Sequence, residues 1–267
     1  MKKKLMLMLS VVCMVCLAAT LMVGCSSSKS SDSEKFVLGF DENFPPFGYR
    51  GDDGQYTGFD IDLATEACNR LGWKLELNAI DWDSKDALID SGTINCIWNG
   101  FTMEGREDQY TFTAPYYSNS QVVLVKNGSG INSLADLSGK TVLTQVNSAA
   151  YSLLAEGGDQ QTLAATFKKL ETIGEYNTAF MQLESGAVDA IALDLPVANT
   201  LISGKEGYTV LSEQLSTENY AVGFKKGNTE QAQKIEDTLR AMYADGTVAK
   251  IAEKYGDAIN MDLWVLK

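Results

Sequence analysis

The sequence predicts an α/β fold with largely parallel sheets, built as two lobes. Three observations carry this expectation. Segments with helical spacing alternate with short apolar runs along most of the chain, as in parallel strands joined by helices. Glycine and other turn residues punctuate the segments. One stretch also echoes another. Ala87–Gly100 and Met181–Asp194 both read helix, Ser-Gly, buried strand and polar strand end, at a constant offset of 94 residues.

The elements follow in order. Phe36–Phe40 is a short strand, ending in Asp41-Glu42-Asn43-Phe44-Pro45-Pro46-Phe47. Two prolines block helix and ladder pairing, so this aromatic loop is expected to be held extended. Gly51–Gly54 is a turn. Asp60 is expected to cap a helix reaching about Leu71, with Ile61, Ala64, Ala67, Cys68 and Leu71 on one face and Gly72 as its stop. Asp62 reads the same way. Lys74–Ile80 alternates as a strand, Lys85–Ser91 is a helix stopped by Gly92, and Ile94–Trp98 is a buried strand. Tyr116–Lys126 is extended, and Ser133–Leu137 is a short helix. Thr141–Leu143 is a strand leading to a helix that starts near Ser148. Glu175–Ser185 is helical, and Val188–Leu193 is a strand ending on Asp194. Tyr220–Phe224 is extended. Asn228–Asp245 is amphipathic, with Ile235, Leu239, Met242 and Tyr243 inward, and a last helix runs from Thr247 to about Tyr255.

Residues 1–24 read as a secretory signal. Lys2, Lys3 and Lys4 precede an apolar run from Leu5 to Val23. The Met22-Val23-Gly24-Cys25 ending resembles a bacterial lipobox, which makes Cys25 the lipidated first residue after cleavage. An uncleaved helical anchor is the competing reading. Either places the domain outside the cytoplasm. Residues 25–35 are Ser-rich and charged, a flexible tether.

Composition excludes several chemistries. The formal charge is −13, and the signal removes three lysines and no acid. So acidic a surface argues against nucleic acid and against a polybasic membrane grip. The chain has no histidine, which removes Ser-His-Asp and Cys-His triads and His-ligated metal sites. Cys68 and Cys96 are either a disulfide in an oxidising compartment or two buried thiols. Their apolar settings favour thiols. No metal site is expected from them.

The stretch Asn99-Gly100-Phe101-Thr102-Met103-Glu104-Gly105-Arg106 leaves a buried strand and stops on arginine. Backbone N–H groups, a hydroxyl and a guanidinium suit a carboxylate, because the arginine fork matches it bidentately. A plain surface turn is the alternative. If the echo is structural, Gly100 and Asp194 stand at matching strand ends, where open α/β sheets bind ligands.

Several motifs now add up: Asp41–Phe47, Gly58-Phe59-Asp60-Ile61-Asp62-Leu63-Ala64, Asn99–Thr102, Arg106, Pro115-Tyr116-Tyr117, Asp136–Lys140, Val188-Asp189-Ala190 and Asp194–Ala198. Together they resemble the substrate-binding lipoproteins of polar amino acid ABC importers, solute-binding family 3, over nearly all of residues 36–258. The resemblance implies a type II periplasmic-binding-protein fold with a ligand cleft between lobes. Lobe 1 is then 36–122 plus 220–267 and lobe 2 is 123–219, with crossings near Gln121–Val125 and Glu218–Val222. It implies that Arg106 takes an α-carboxylate, helped by the Thr102 hydroxyl and the Ser148 and Ala149 N–H groups. Asp194 and the Gly100 carbonyl take the α-ammonium. Phe44 and Trp82 sandwich the side chain, while Asp41, Asn99 and Gln145 read it. A zwitterion leaving water needs an opposite charge at each end. Phe44 and Trp82 also read as core aromatics, and Asp194 as a cap.

Two departures stand out. The Thr102–Arg106 spacing is one residue shorter than the family's, which Gly105 can absorb. The family's Gly-Thr/Ser pair appears as Asn147-Ser148, which works if Asn147 takes positive φ. The implied function is capture of a free amino acid outside the membrane and delivery to an ABC permease, by a non-enzymatic monomer without cofactor. Its substrate is undecided, cystine and basic amino acids included. An enzyme on the same fold, such as a dehydratase, is one alternative, and nothing in the sequence suggests a reacting pair. A sensing domain is another, and it needs a membrane segment and signalling domain after residue 267.

Overall fold

A computed structural model describes residues 33–267. The expected signal, Cys25 and most of the tether lie outside the described residues. Strand β1 (Lys35–Phe40) buries Phe36, Leu38 and Phe40 completely. It begins at Lys35, so the last tether position is sheet. Just before it, the Glu34 carbonyl accepts from the Lys74 amide at 2.8 Å. The aromatic loop is not held extended. Strands β2 (Asn43–Phe44) and β3 (Gly48–Arg50) fold it into a hairpin through a cis Pro45–Pro46 bond, and β4 (Tyr56–Thr57) adds a third strand. The two prolines sit in the turn, where no ladder hydrogen bond is demanded of them.

Helix α1 (Phe59–Leu71) buries Ile61, Ala64, Ala67 and Cys68 as its spacing predicts, and Gly72 closes it at φ 70°. Its cap differs from expectation. Gly58 holds the N-cap position at φ 139°, and a Cβ there would lie 2.2 Å from the Phe47 carbonyl oxygen. Asp60 sits inside the first turn, fully buried, with its carboxylate turned toward another segment. Strand β5 (Lys74–Ala79) pairs in parallel with β1 from Lys35↔Lys74 to Phe40↔Ala79. Helix α2 (Lys85–Ser91) ends at Gly92, φ 75°. Strand β6 is only Cys96–Ile97, shorter than predicted, although it too is parallel to β1. At its start the Asn95 side chain accepts the Val37 N–H at 2.7 Å, while backbone bonds from Asn95 to Val37 and from Trp98 to Gly39 still tie the flanking residues to β1. Strand β7 (Tyr110–Phe112) was not expected.

The middle of the chain forms a second sheet. Its elements are β8 (Tyr117–Lys126), β9 (Thr141–Gln145), α3 (Ala149–Leu154), α4 (Gln161–Ala164), β10 (Lys169–Ile173), α5 (Tyr176–Ser185), β11 (Ala190–Asp194), α6 (Leu195–Ile202), β12 (Tyr208–Val210) and β13 (Ser216–Tyr220). The order is β10-β9-β11-β8-β12, with β13 also on β8. The first three strands are parallel, and β8 runs against its neighbours. Strand β14 (Gly223–Lys225) then returns to the first sheet, whose order is β5-β1-β6-β14-β7. The predicted single strand Tyr220–Phe224 is therefore two, broken where the chain changes sheets. Helices α7 (Thr229–Ala244) and α8 (Thr247–Ala252) finish the fold. Helix α7 buries Ile235, Leu239 and Met242 and is capped by Asn228, which accepts from the Gln231 amide.

The sequence echo is structural. In each sheet a helix, α2 or α5, ends on a left-handed glycine, Gly92 or Gly186 at φ 75° and 78°. The chain then enters a strand parallel to an earlier one, β6 beside β1 and β11 beside β9. Parallel strands joined by helices thus form part of each sheet, and antiparallel strands complete both. The strand ends reached this way are Asn99-Gly100 and Asp194. Cys68 and Cys96 are free buried thiols.

Candidate functional site

A small cavity of about 20 Å³ lies between these strand ends, lined by Phe44, Trp82, Asn99, Gly100, Thr102, Arg106, Gln145, Ser148, Ala149 and Asp194. Ten of the eleven ligand-site residues singled out in the sequence line it. The eleventh, Asp41, lies just outside. It lines an adjoining mouth of about 800 Å³ with Glu42, Asp81, Trp82, Asp83 and Glu175.

The cationic wall is built by the turn after β6. The shortened Thr102–Arg106 segment closes as a turn, with the Arg106 N–H on the Met103 carbonyl at 3.1 Å and Gly105 at φ 78°. The Arg106 guanidinium folds back, its Nη1 donating to the Thr102 carbonyl at 2.8 Å. Its Cζ stacks 4.9 Å from the Phe101 ring centroid. Arg106 is only 9% exposed, and its side-chain hydrogen bonds among the described residues go to carbonyl oxygens, of Thr102 and Asn147. Burial pulls its pKa down. A desolvated guanidinium with no anion in hydrogen-bond contact is a seat for one.

Thr102 differs from its expected role. Its hydroxyl donates to Glu218 at 2.9 Å rather than toward the cavity. The Ser148 amide is also engaged, on the Gln145 carbonyl at 3.3 Å, while its hydroxyl caps α3 by accepting from the Tyr151 N–H at 3.0 Å. Asn147 holds φ 53°, the one positive φ outside glycine among the described residues. This is the conformation the Asn-Ser pair needed.

The anionic wall is Asp194. It occupies the N-cap position of α6 but makes no cap hydrogen bond. Its Oδ1 instead accepts from Tyr220 Oη at 2.6 Å, Gln121 Nε2 at 2.6 Å and Asn119 Nδ2 at 2.8 Å. Burial, and then the charge of Glu218, push it up to about 7. Gly100 stands opposite at φ 57°, and a Cβ there would come within 3.0 Å of both Phe44 and Tyr220.

Phe44 and Trp82 serve both core and cavity. Trp82 is 8% exposed, packs edge-on to Phe101 at 5.6 Å, and faces both cavities. Phe44 packs on Phe47 and Tyr176 at 6.2 Å each. Gln145 donates to Asp41 at 2.6 Å and to the Gly174 carbonyl at 2.8 Å. Asn99 accepts the Asp41 N–H at 2.9 Å, and its own Nδ2 is buried with no partner among the described residues. Burial raises Asp41 to about 6.

Sequence reasoning missed four members of the site's support. Asn119 and Gln121 of β8, and Glu218 and Tyr220 of β13, are all buried polar groups. They occupy alternate positions on one face of their strands, so a polar pair at inward positions was the available signal. It also missed Asp60, whose Oδ2 accepts the Gly100 N–H at 2.6 Å and the Tyr116 hydroxyl at 2.8 Å. Among the described residues no group of three His, Cys, Asp or Glu is placed to hold a metal.

Comparison with known proteins finds a family model and several relatives. The model of the bacterial extracellular solute-binding proteins, family 3, matches residues 36–258. An L-cystine-binding protein of Bacillus subtilis is 30% identical over 96% of this chain and 97% of its own. An L-cystine-binding protein of Escherichia coli is 28% identical over 85% of each. The crystal structure of an ABC uptake transporter substrate-binding protein from Streptococcus pneumoniae, with bound histidine, superposes with a TM-score of 0.78 at 32% identity, covering 85% of this chain and 94% of that one.

Proposed function

This chain belongs to the bacterial extracellular solute-binding proteins, family 3, and on that premise we propose that it captures one free amino acid outside the membrane and delivers it to an ABC importer. One observation carries the reading. Arg106 and Asp194 are both buried on the wall of one cavity, and neither has an oppositely charged hydrogen-bond partner among the described residues. An α-carboxylate on Arg106 and an α-ammonium on Asp194 and the Gly100 carbonyl satisfy both at once. Ala149 borders the carboxylate end, and Phe44 and Trp82 flank the side chain.

An amino acid is far larger than a cavity of about 20 Å³, so entry requires the walls to part. Two lobes, 36–122 with 220–267 and 123–219, that open at their crossings supply this motion. A ligand that touches both walls favours the closed form, which a permease can distinguish from the open one. The acidic mouth and buried Asp41 favour a side chain ending in an ammonium, guanidinium or amide group. Cystine and the basic amino acids meet this description, and the cystine-binding relatives support the first. A lipid on Cys25 is the proposed anchor, facing outward from the cytoplasmic membrane, with the protein working as a monomer.

A thermal-shift panel of L-amino acids tests the class, since stabilisation follows RT ln(1 + [L]/Kd). Calorimetry on Arg106→Ala tests the site. The expected loss is about 3–5 kcal/mol of binding energy, and wild-type affinity in that variant rejects the assignment. Membrane fractionation after Cys25→Ser tests the anchor, with release into the soluble fraction expected.

A further inference from the structure

The ammonium side of the site holds more negative charge than its cations balance. Asp194 at the end of β11 and Glu218 on β13 are 4% and 5% exposed. Two side-chain amides bridge them. Asn119 Nδ2 lies 2.8 Å from Asp194 Oδ1 and 2.7 Å from Glu218 Oε1, and Gln121 Nε2 lies 2.6 Å and 2.8 Å from the same atoms. Among the described residues each acid has one further side-chain donor, Tyr220 Oη for Asp194 and Thr102 Oγ1 for Glu218.

The charged and titratable groups facing the pair are Arg106 of the turn, Tyr220 of β13 and Tyr176 of α5. Arg106 is the one cation among them, and it hydrogen-bonds to neither acid. Among the described residues, meanwhile, Asn119 Oδ1 and Gln121 Oε1 are buried and find no donor. The cluster therefore has surplus acceptors and an uncompensated negative charge, both costly in a desolvated place. A bound proton relieves this in the empty site, and an ammonium group relieves it in the filled one.

Resting on the receptor reading above, we propose that Glu218 is a positioning residue of the ammonium seat. Through Asn119, Gln121 and Thr102 it fixes Asp194 and the Arg106 turn, and in the empty site it shares with Asp194 one proton that passes to solvent when the ligand's ammonium docks. Burial raises both acids, and the charge of Glu218 raises Asp194 further. Two acids coupled this closely titrate as a pair. Binding thus weakens as pH falls below about 7, by at most tenfold per pH unit.

Calorimetry at about pH 6.5 in buffers of different ionisation enthalpy counts the proton, using the tightest binder among L-cystine, L-arginine and L-glutamine. Wild type is expected to release roughly half to one proton per ligand. Glu218→Gln is expected to release almost none, with an affinity that no longer changes between about pH 6 and 8. Binding heats that are equal in all buffers for wild type overturn the proposal while leaving the receptor reading intact. If no amino acid binds at any pH, the receptor reading falls and the proposal with it. Carbon-13 NMR of the two carboxyl carbons in the ligand-free protein decides the matter without a variant. One titration step near neutrality supports the shared proton, and two steps below about pH 5 overturn it.

Discussion

The Asp60 carboxylate accepts the Gly100 amide hydrogen at 2.6 Å, joining the first turn of α1 to the strand end that forms the site. The same oxygen accepts the Tyr116 hydroxyl at 2.8 Å, and among the described residues no cation hydrogen-bonds to this carboxylate. A fully buried acid thereby fixes the peptide that leads into the Gly100 carbonyl.

This acid makes stability depend on pH in an unusual direction. Burial raises Asp60 from 3.8 to about 7. A carboxyl raised on folding binds its proton more tightly in the folded state. Its stabilisation is full at low pH and is lost as pH climbs from about 4 through about 7. Asp41, at about 6, acts in the same sense. The melting temperature is expected to fall between about pH 5 and 8, and Asp60→Asn should flatten that fall, by at most roughly 4 kcal/mol. Parallel pH profiles for variant and wild type would contradict the role of Asp60.

Arg106→Lys separates charge from geometry. Lysine keeps the positive charge but loses the planar fork and the stacking on Phe101. Calorimetry should show a loss of about 1–3 kcal/mol, smaller than for Arg106→Ala. Equal losses for the two variants would show that charge alone contributes nothing.

Gly58→Ala tests the entry to α1. The position sits at φ 139°, and an added methyl would lie 2.2 Å from the Phe47 carbonyl oxygen. Both strain and clash act, so denaturant unfolding should show a loss of about 2 kcal/mol or more. A change within about 0.5 kcal/mol would mean that the hairpin shifts freely to admit it.

The two thiols should be chemically silent in the native state. Cys68 and Cys96 are 1% and 0% exposed, and burial raises both, Cys68 to about 12. A thiol reagent at about pH 8 should label neither until the protein is unfolded, because the thiolate is the nucleophile. Prompt labelling of the folded protein would show that this core opens readily.

Local pattern made much of the fold legible. The apolar spacing of α1 and α7, the stops at Gly72, Gly92 and Gly186, and the repeat between Ala87–Gly100 and Met181–Asp194 are all written within single segments. Periodicity sees them because the cause is local. Strands β7 and β12 escaped because each is three residues long and takes its identity from its neighbours in the sheet, and β10 because it is half exposed and carries no apolar run. Helix α6 escaped because Asp194-Leu195-Pro196 reads as a strand end, although Pro196 in the first turn is compatible with a helix start.

By itself, the sequence determined the α/β class, the repeated strand ends and the residue types able to meet a carboxylate and an ammonium. Only the tertiary structure decided how those residues are supported. It turned the Thr102 hydroxyl onto Glu218, made Asp60 a tie to Gly100 rather than a cap, and drew Asn119, Gln121 and Tyr220 around Asp194. The reason is physical. A buried polar group must find its partner wherever the fold supplies one, and here the partners lie 26 to 116 residues away in the chain, beyond the reach of any local pattern.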